Sequence, residues 1–227
     1  MRPLFITFTG ADDDTDLEGM YQLAHEYPIE WGILFSPKRQ GSGRYPSLGF
    51  VRRMLSEIGG GTRLSAHLCG GDARAVIERG ESPHDVMLAR YFWRAQINTA
   101  DTSVDPAAIA QWGDKVSLMP ILQCRGDFPL LKGVGVLFDA SGGRGIAPKA
   151  WPKAPARMVG YAGGLNPSNV AEAVAAINLV SSEYWIDMET GVRDENDRFS
   201  LEKCRAVCEA VYGVKREAVS SGTDVVR

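Results

Sequence analysis

Tyr161-Ala162-Gly163-Gly164-Leu165-Asn166-Pro167-Ser168-Asn169-Val170 is the stretch on which the fold turns. A short apolar run, Met158 to Ala162, passes into paired glycines and then into a helix start. Asn166 or Ser168 suits an N-cap and Pro167 a first helical turn, and apolar residues return at spacings of three and four from Asn169 to Leu179. The glycines let backbone N–H groups approach an anion at the positive end of that helix. The following unit closes in a related way, with Ile186-Asp187-Met188-Glu189-Thr190-Gly191-Val192 placing a hydroxyl and a glycine where its apolar run stops.

Reading outward from these units, the same alternation extends through the chain. Apolar, β-rich runs occur at Leu4 to Thr9, Trp31 to Phe35, Leu64 to Cys69, Ala95 to Asn98, Val116 to Gln123, Val134 to Asp139, Met158 to Ala162 and Tyr184 to Met188. Helical spacing fills most of the intervals, clearly so at Leu201 to Val211. Strand–helix alternation implies parallel strands with right-handed crossovers. Eight such units fit an α/β protein of a single (β/α)8 barrel better than an open sheet, and no Gly-x-Gly-x-x-Gly follows Gly10. Gly126 to Lys132 leaves room for only a short helix, and Pro148, Pro152 and Pro155 interrupt the next crossover, so these two connections are expected to be loops or single turns.

The 227 residues, 44% hydrophobic and 23% charged, are expected to form one domain over 1–227, with a flexible tail from about 214. A net charge of −3 without a dense Lys/Arg run gives no reason to expect nucleic acid or an anionic membrane as partner. No apolar run approaches the ~20 residues of a bilayer span. The chain enters Leu4-Phe5-Ile6-Thr7-Phe8 without a signal-like segment, so the expected location is cytoplasmic. Cys69, Cys124, Cys204 and Cys208 form no Cys-x-x-Cys pair, and the last two share a face with Leu201, Val207 and Val211 that reads as buried. Trp31, Trp93, Trp151 and Trp185 read as core or helix-packing residues.

In such a barrel chemistry gathers where strands end. The residues closing the runs are Thr9 with Asp12, Asp13 and Asp14; Arg44 in the second loop; His67; Asn98; Gln123 with Arg125; Asp139; Gly163 and Gly164; then Asp187, Glu189, Thr190 and Gly191. Gly163, Gly164, Thr190 and Gly191 form the expected phosphate site, in two adjacent nests.

Gly160 to Val170 resembles the signature of phosphoribosylanthranilate isomerases, in which an Ala-Gly-Gly-Leu-Asn-Pro-x-Asn-Val segment helps hold the substrate phosphate. Asp187 to Val192 is similar to that family's Asp-Val-Ser-Ser-Gly-Val segment, with Thr190 at the serine. Val136 to Gly145 resembles its sixth strand and glycine-rich loop, with Asp139 at the catalytic acid and Arg144 at a threonine. Trp31 to Pro37 with Ser42-Gly43-Arg44-Tyr45 looks like its second strand and substrate-contacting arginine. The resemblance implies a barrel that binds a small phosphorylated metabolite without a cofactor, as a monomer or homodimer.

The family's base is a cysteine in a Lys-x-Cys-Gly segment closing the first strand, where this chain has Thr7-Phe8-Thr9-Gly10. An unassisted hydroxyl is a far poorer base than a thiol, so ordinary phosphoribosylanthranilate isomerisation is not expected. Three readings stay open. One is another phosphosugar isomerase or lyase, with Asp139 as acid and His67, Glu189 or a first-loop aspartate as base; Arg44, Asp12, Asn98, Gln123 and Asp187 would contact substrate. The second is a metal-assisted enzyme using Asp12, Asp14, His67, Asp139 and Glu189, although no compact ligand motif is present. The third is a barrel that binds a phosphorylated ligand without turnover. Asp139 itself has a structural alternative, as the cap that orders the turn Ser141 to Gly145.

Overall fold

The computed structural model describes residues 1–214, so the tail expected beyond Val214 lies outside the described residues. Eight parallel strands close into a barrel in sequence order: β1 (Ile6–Thr9), β2 (Ile29–Phe35), β3 (Arg63–Cys69), β4 (Arg94–Asn98), β5 (Met119–Cys124), β6 (Gly135–Asp139), β7 (Val159–Ala162) and β8 (Tyr184–Met188). β8 returns to pair with β1 through Ile6–Ile186 and Thr7–Asp187. The barrel matches the architecture expected from the alternating runs.

Alternation along each strand separates two interiors. Outward residues such as Ile6, Phe8, Trp31, Ile33 and Phe35 join helix residues including Met20, Met54, Trp112, Cys204 and Cys208 in the large core between barrel and helices. Inside the barrel, Phe5, Ile121, Leu137, Ala162 and Trp185 make a smaller apolar cluster. Thr7, Glu30, Ser65 and Arg94 are buried polar residues. Arg94 on β4 reaches Glu30 on β2 and Thr7 on β1, contacts that cross the barrel interior.

Among the described residues the helices are α1 (Leu17–Glu26), α2 (Leu48–Glu57), α3 (Gly71–Arg79), α4 (Asp85–Tyr91), α5 (Pro106–Val116), α6 (Val170–Ile177) and α7 (Leu201–Tyr212). Asp16 and Ser200 cap α1 and α7 through side-chain acceptors. No helix separates β5 from β6 or β6 from β7, in line with the loops read from glycine and proline. Trp151 seats the second of these loops edge-on against Phe138 and Tyr161.

The structure differs from the sequence reading at several element boundaries and in one exposure. β5 begins at Met119 rather than Val116, because Val116 completes the buried face of α5. The connection from β3 to β4 holds two helices, divided at Gly80, whose left-handed backbone ends α3. Trp93 is 63% exposed rather than packed, with the Arg63 guanidinium over its ring.

Candidate active site

The C-terminal strand ends and the loops beyond them surround a cavity of about 540 Å³. That is ample for a small-molecule ligand. Arg44, His67, Asn98, Gln123, Asp139, Gly163, Gly164, Asp187, Glu189, Thr190 and Gly191 all line it, whereas Thr9 and Asp12 do not.

Thr9 is buried at the end of β1, and its Oγ1 donates to Asp187 Oδ1 at 3.3 Å. The hydroxyl thus contacts a cavity residue, and Thr9 itself is not among the residues lining the cavity. Asp12 is turned away by an arginine that the sequence reading missed. Buried Arg193 donates to Asp12 Oδ2 at 3.0 Å and to the Gly10 carbonyl at 2.6 Å, and the Phe199 N–H also binds Asp12 Oδ2. These contacts tie the β8 loop to the β1 loop and leave Asp12 structural. Asp13 accepts from the Ser47 N–H, and Asp14 is exposed outside the cavity lining.

Arg44 and Glu189 face the cavity as a pair, 2.6 Å apart, and Arg44 also bonds Asp197 at 2.9 Å. Glu189 is thereby engaged by a guanidinium and Arg44 is balanced by two carboxylates. Asp139 is held by its own loop: Oδ1 accepts from the Ser141 N–H and hydroxyl at 3.0 and 2.8 Å, and Oδ2 from the Gly143 N–H at 2.5 Å. These are the contacts of the turn-ordering alternative, although the side chain also borders the cavity.

The cavity floor is different. His67 and Asp187 are both buried, with Nε2 and Oδ2 3.7 Å apart, outside hydrogen-bond range. Burial, with the Arg94 charge second, brings the His67 imidazole down to about 3, so the ring is neutral near pH 7. Burial pushes the Asp187 carboxyl well above the ordinary carboxylate range; Arg94 opposes this, while Glu30 and Glu189 reinforce it. A neutral imidazole with so low a pKa is a poor proton acceptor but can still donate a hydrogen bond. Burial favours the protonated form of the Asp187 carboxyl, so it can carry a transferable proton.

Beside this pair, Asn98 donates to Cys69 Sγ at 3.1 Å and accepts from Gln96 at 2.6 Å. Burial raises the Cys69 thiol, which also borders the cavity.

The paired glycines follow β7, and both have positive φ. Gly164 has φ +64°, a Cβ there would lie 2.5 Å from the Ala147 nitrogen, and its N–H donates no hydrogen bond within the described residues. Helix α6 starts later than expected, at Val170. Asn166 instead organises the preceding turn, accepting from the Ser168 N–H and hydroxyl, and Asn169 accepts from the Asn166 N–H. Among the described residues no three His, Cys, Asp or Glu side chains gather as a metal-ligand set, so the groups of the metal-assisted reading do not converge.

No protein-family model matches this sequence, and no curated protein matches it as a relative. Solved structures do match. Phosphoribosyl anthranilate isomerase from Thermus thermophilus is 21% identical, aligned over 95% of this chain and 100% of that one, with a TM-score of 0.66. N-(5'-phosphoribosyl)anthranilate isomerase from Pyrococcus furiosus is 14% identical over 93% and 100%, with a TM-score of 0.61. 3-hexulose-6-phosphate synthase from Salmonella typhimurium is 10% identical over 93% and 98%, with a TM-score of 0.57. The chain thus has the (β/α)8 barrel of the phosphoribosylanthranilate isomerases, the architecture that the Gly160 to Val170 segment implied.

Proposed function

We propose that this protein is a phosphosugar isomerase or lyase that moves a proton through Asp187 with the neutral His67 ring as hydrogen-bond donor, and that it does not perform phosphoribosylanthranilate isomerisation. The observation carrying this reading is the pairing of an elevated carboxyl with a neutral imidazole on the floor of a cavity whose rim holds the glycine nest. The nest supplies backbone donors for a phosphate. The phosphate end then anchors the sugar so that its carbonyl carbon and the neighbouring C–H lie over Asp187.

In this scheme the Asp187 carboxylate, once its proton has left to solvent, removes the proton from the carbon beside the carbonyl. The C–H electrons form a carbon–carbon double bond, and the carbonyl electrons move to oxygen, where the neutral His67 ring donates a hydrogen bond. Returning the proton to the former carbonyl carbon, while the neighbouring hydroxyl passes its proton to the first oxygen, completes an isomerisation, and the same enediol is the leaving fragment in an aldol-type cleavage. No oxidant or reductant is consumed. His67 thus takes the electrophilic role instead of the base role first assigned to it, and Thr9 positions Asp187.

Incubating the protein in D2O with a panel of pentose and hexose phosphates tests the scheme by NMR. Deuterium entering beside the carbonyl of at least one substrate is the expected result, lost in Asp187→Asn. Tight binding of a phosphosugar with no exchange and no product would favour the non-catalytic reading instead. Gly164→Val should weaken phosphosugar binding. Because its Cβ would strike the Ala147 backbone, this substitution should also lower stability measurably.

A further inference from the structure

The loop between β2 and α2 is held differently at its base and at its tip. At the base, Gln40 accepts from the Ser36 N–H at 3.0 Å and donates to the Leu34 and Pro46 carbonyls, so one amide joins the two ends of the loop. Beyond it, Gly41 to Tyr45 form a small turn of their own. The Gly41 N–H donates to the Tyr45 carbonyl at 2.9 Å and the Tyr45 N–H to the Ser42 carbonyl at 3.2 Å. None of these five residues belongs to the hydrophobic core. The tip therefore keeps its own shape with little burial to hold it down, the properties of a segment that opens locally as a unit.

Two ties keep the tip over the cavity. On one side Arg44 crosses to the end of β8 and the loop beyond it, donating to Glu189 at 2.6 Å, Asp197 at 2.9 Å and Thr190 at 3.3 Å. The two carboxylates are 33% and 61% exposed, a setting in which ion pairs are weak. On the other side Tyr45, with the Arg39 guanidinium 5.5 Å over its ring, stands beside the Cys69 thiol, and all three residues border the cavity. The tip thus covers Cys69, while the clasp that holds it there lies on its far side and makes no bond to Cys69 among the described residues.

We propose that Gly41 to Tyr45 are a strap that lifts from and closes over the cavity, with the Arg44 clasp setting the fraction of time it is open. The strap acts on any ligand of the cavity, so it stands apart from the phosphosugar reading. Cys69 reports its position. Timed alkylation of the full chain, resolved by peptide mass spectrometry, would compare N-ethylmaleimide with the bulky N-(1-pyrenyl)maleimide, which carries the same reacting group. Cys124, on β5 and not lining the cavity, is the internal reference, and buried Cys204 and Cys208 report an intact fold.

In Arg44→Gln the pyrenyl reagent should label Cys69 about fivefold or more faster relative to Cys124. N-ethylmaleimide should gain by a smaller factor, because a small reagent needs less of an opening. Raising salt to about 1 M should speed pyrenyl labelling of Cys69 in the wild type and leave Arg44→Gln unchanged, since screening weakens the same clasp. Equal acceleration of both reagents would mean that the thiol and not its cover has changed, and would overturn the strap. An unchanged Cys69 rate in Arg44→Gln would overturn it as well. If the substitution also exposes Cys204 and Cys208, the salt response of the wild type decides, and a flat response rejects the proposal.

Discussion

Two polar levels lie one above the other inside the same barrel, and they are built on opposite terms. At the lower level Glu30 receives Arg94 through two hydrogen bonds of 2.9 and 2.5 Å and the Thr7 hydroxyl through one of 3.0 Å, with Arg94 stacked over Phe5 and Trp185. At the upper level, where the strands end, Asp187 has one long hydrogen bond from Thr9 and stands 3.7 Å from a histidine that gives it no charge. Both levels are buried. Below, charge is met by charge and the pair is structural. Above, the groups are left short of partners and their proton affinities move toward neutral forms, as in a site that exchanges protons with a ligand.

The largest expected effect comes from breaking the lower level. Arg94→Met leaves Glu30 buried without a counter-charge and should cost about 3–5 kcal/mol in urea unfolding, most of it recovered in the double variant Glu30→Met/Arg94→Met. A negligible loss in the single variant would erase the distinction between the levels. The upper level should answer in rate: Asp187→Asn should lower proton exchange by ~10²–10⁴. It should also remove a pH trend. A raised folded-state pKa contributes stability that is complete below the unfolded carboxyl value of 3.8 and is lost as pH rises through the folded value. The asparagine variant should therefore gain on the wild type as pH increases, and parallel pH profiles would argue against a buried, elevated carboxyl.

His67 has the opposite sign. Its stability contribution is complete above the unfolded value of 6.5 and is lost as pH falls toward the folded value of about 3. At about 1.4 kcal/mol per pH unit between those values, the wild type should lose a few kcal/mol relative to His67→Gln on acidification, readable as a widening gap in Tm. A smaller effect separates the two roles of Asp139. As the acceptor that orders its loop, it should cost about 1–3 kcal/mol when changed to asparagine, with turnover far less affected than in Asp187→Asn. A collapse of turnover at unchanged stability would restore it as the acid.

The two levels were not equally legible in the sequence. The barrel followed from eight repeated runs, and the left-handed turn after β7 from Gly163-Gly164, because glycine and strand periodicity act locally. The lower level was missed because the apolar runs appeared to begin at Trp31 and Ala95, one residue past Glu30 and Arg94. The strands include both charges, each masked by a partner far away in sequence. A charged residue abutting each of two apolar runs was the available signal. Asp12 and Arg44 looked available for substrate because nothing local announces Arg193, Asp197 or Glu189 as their partners. The contrast between Asp139 and Asp187 also depends on geometry: both close strands, but only the first has its own loop folded back onto its oxygens.

The most direct test of this contrast is the titration of Asp187 itself, followed by the carboxyl ¹³C shift in protein labelled at aspartate and assigned by comparison with Asp187→Asn. The expected result is a carboxyl that stays protonated well above the pH at which exposed aspartates ionise. A resonance for Asp187 that titrates near 4 together with the surface aspartates would contradict the account of the upper level as the proton-transfer site.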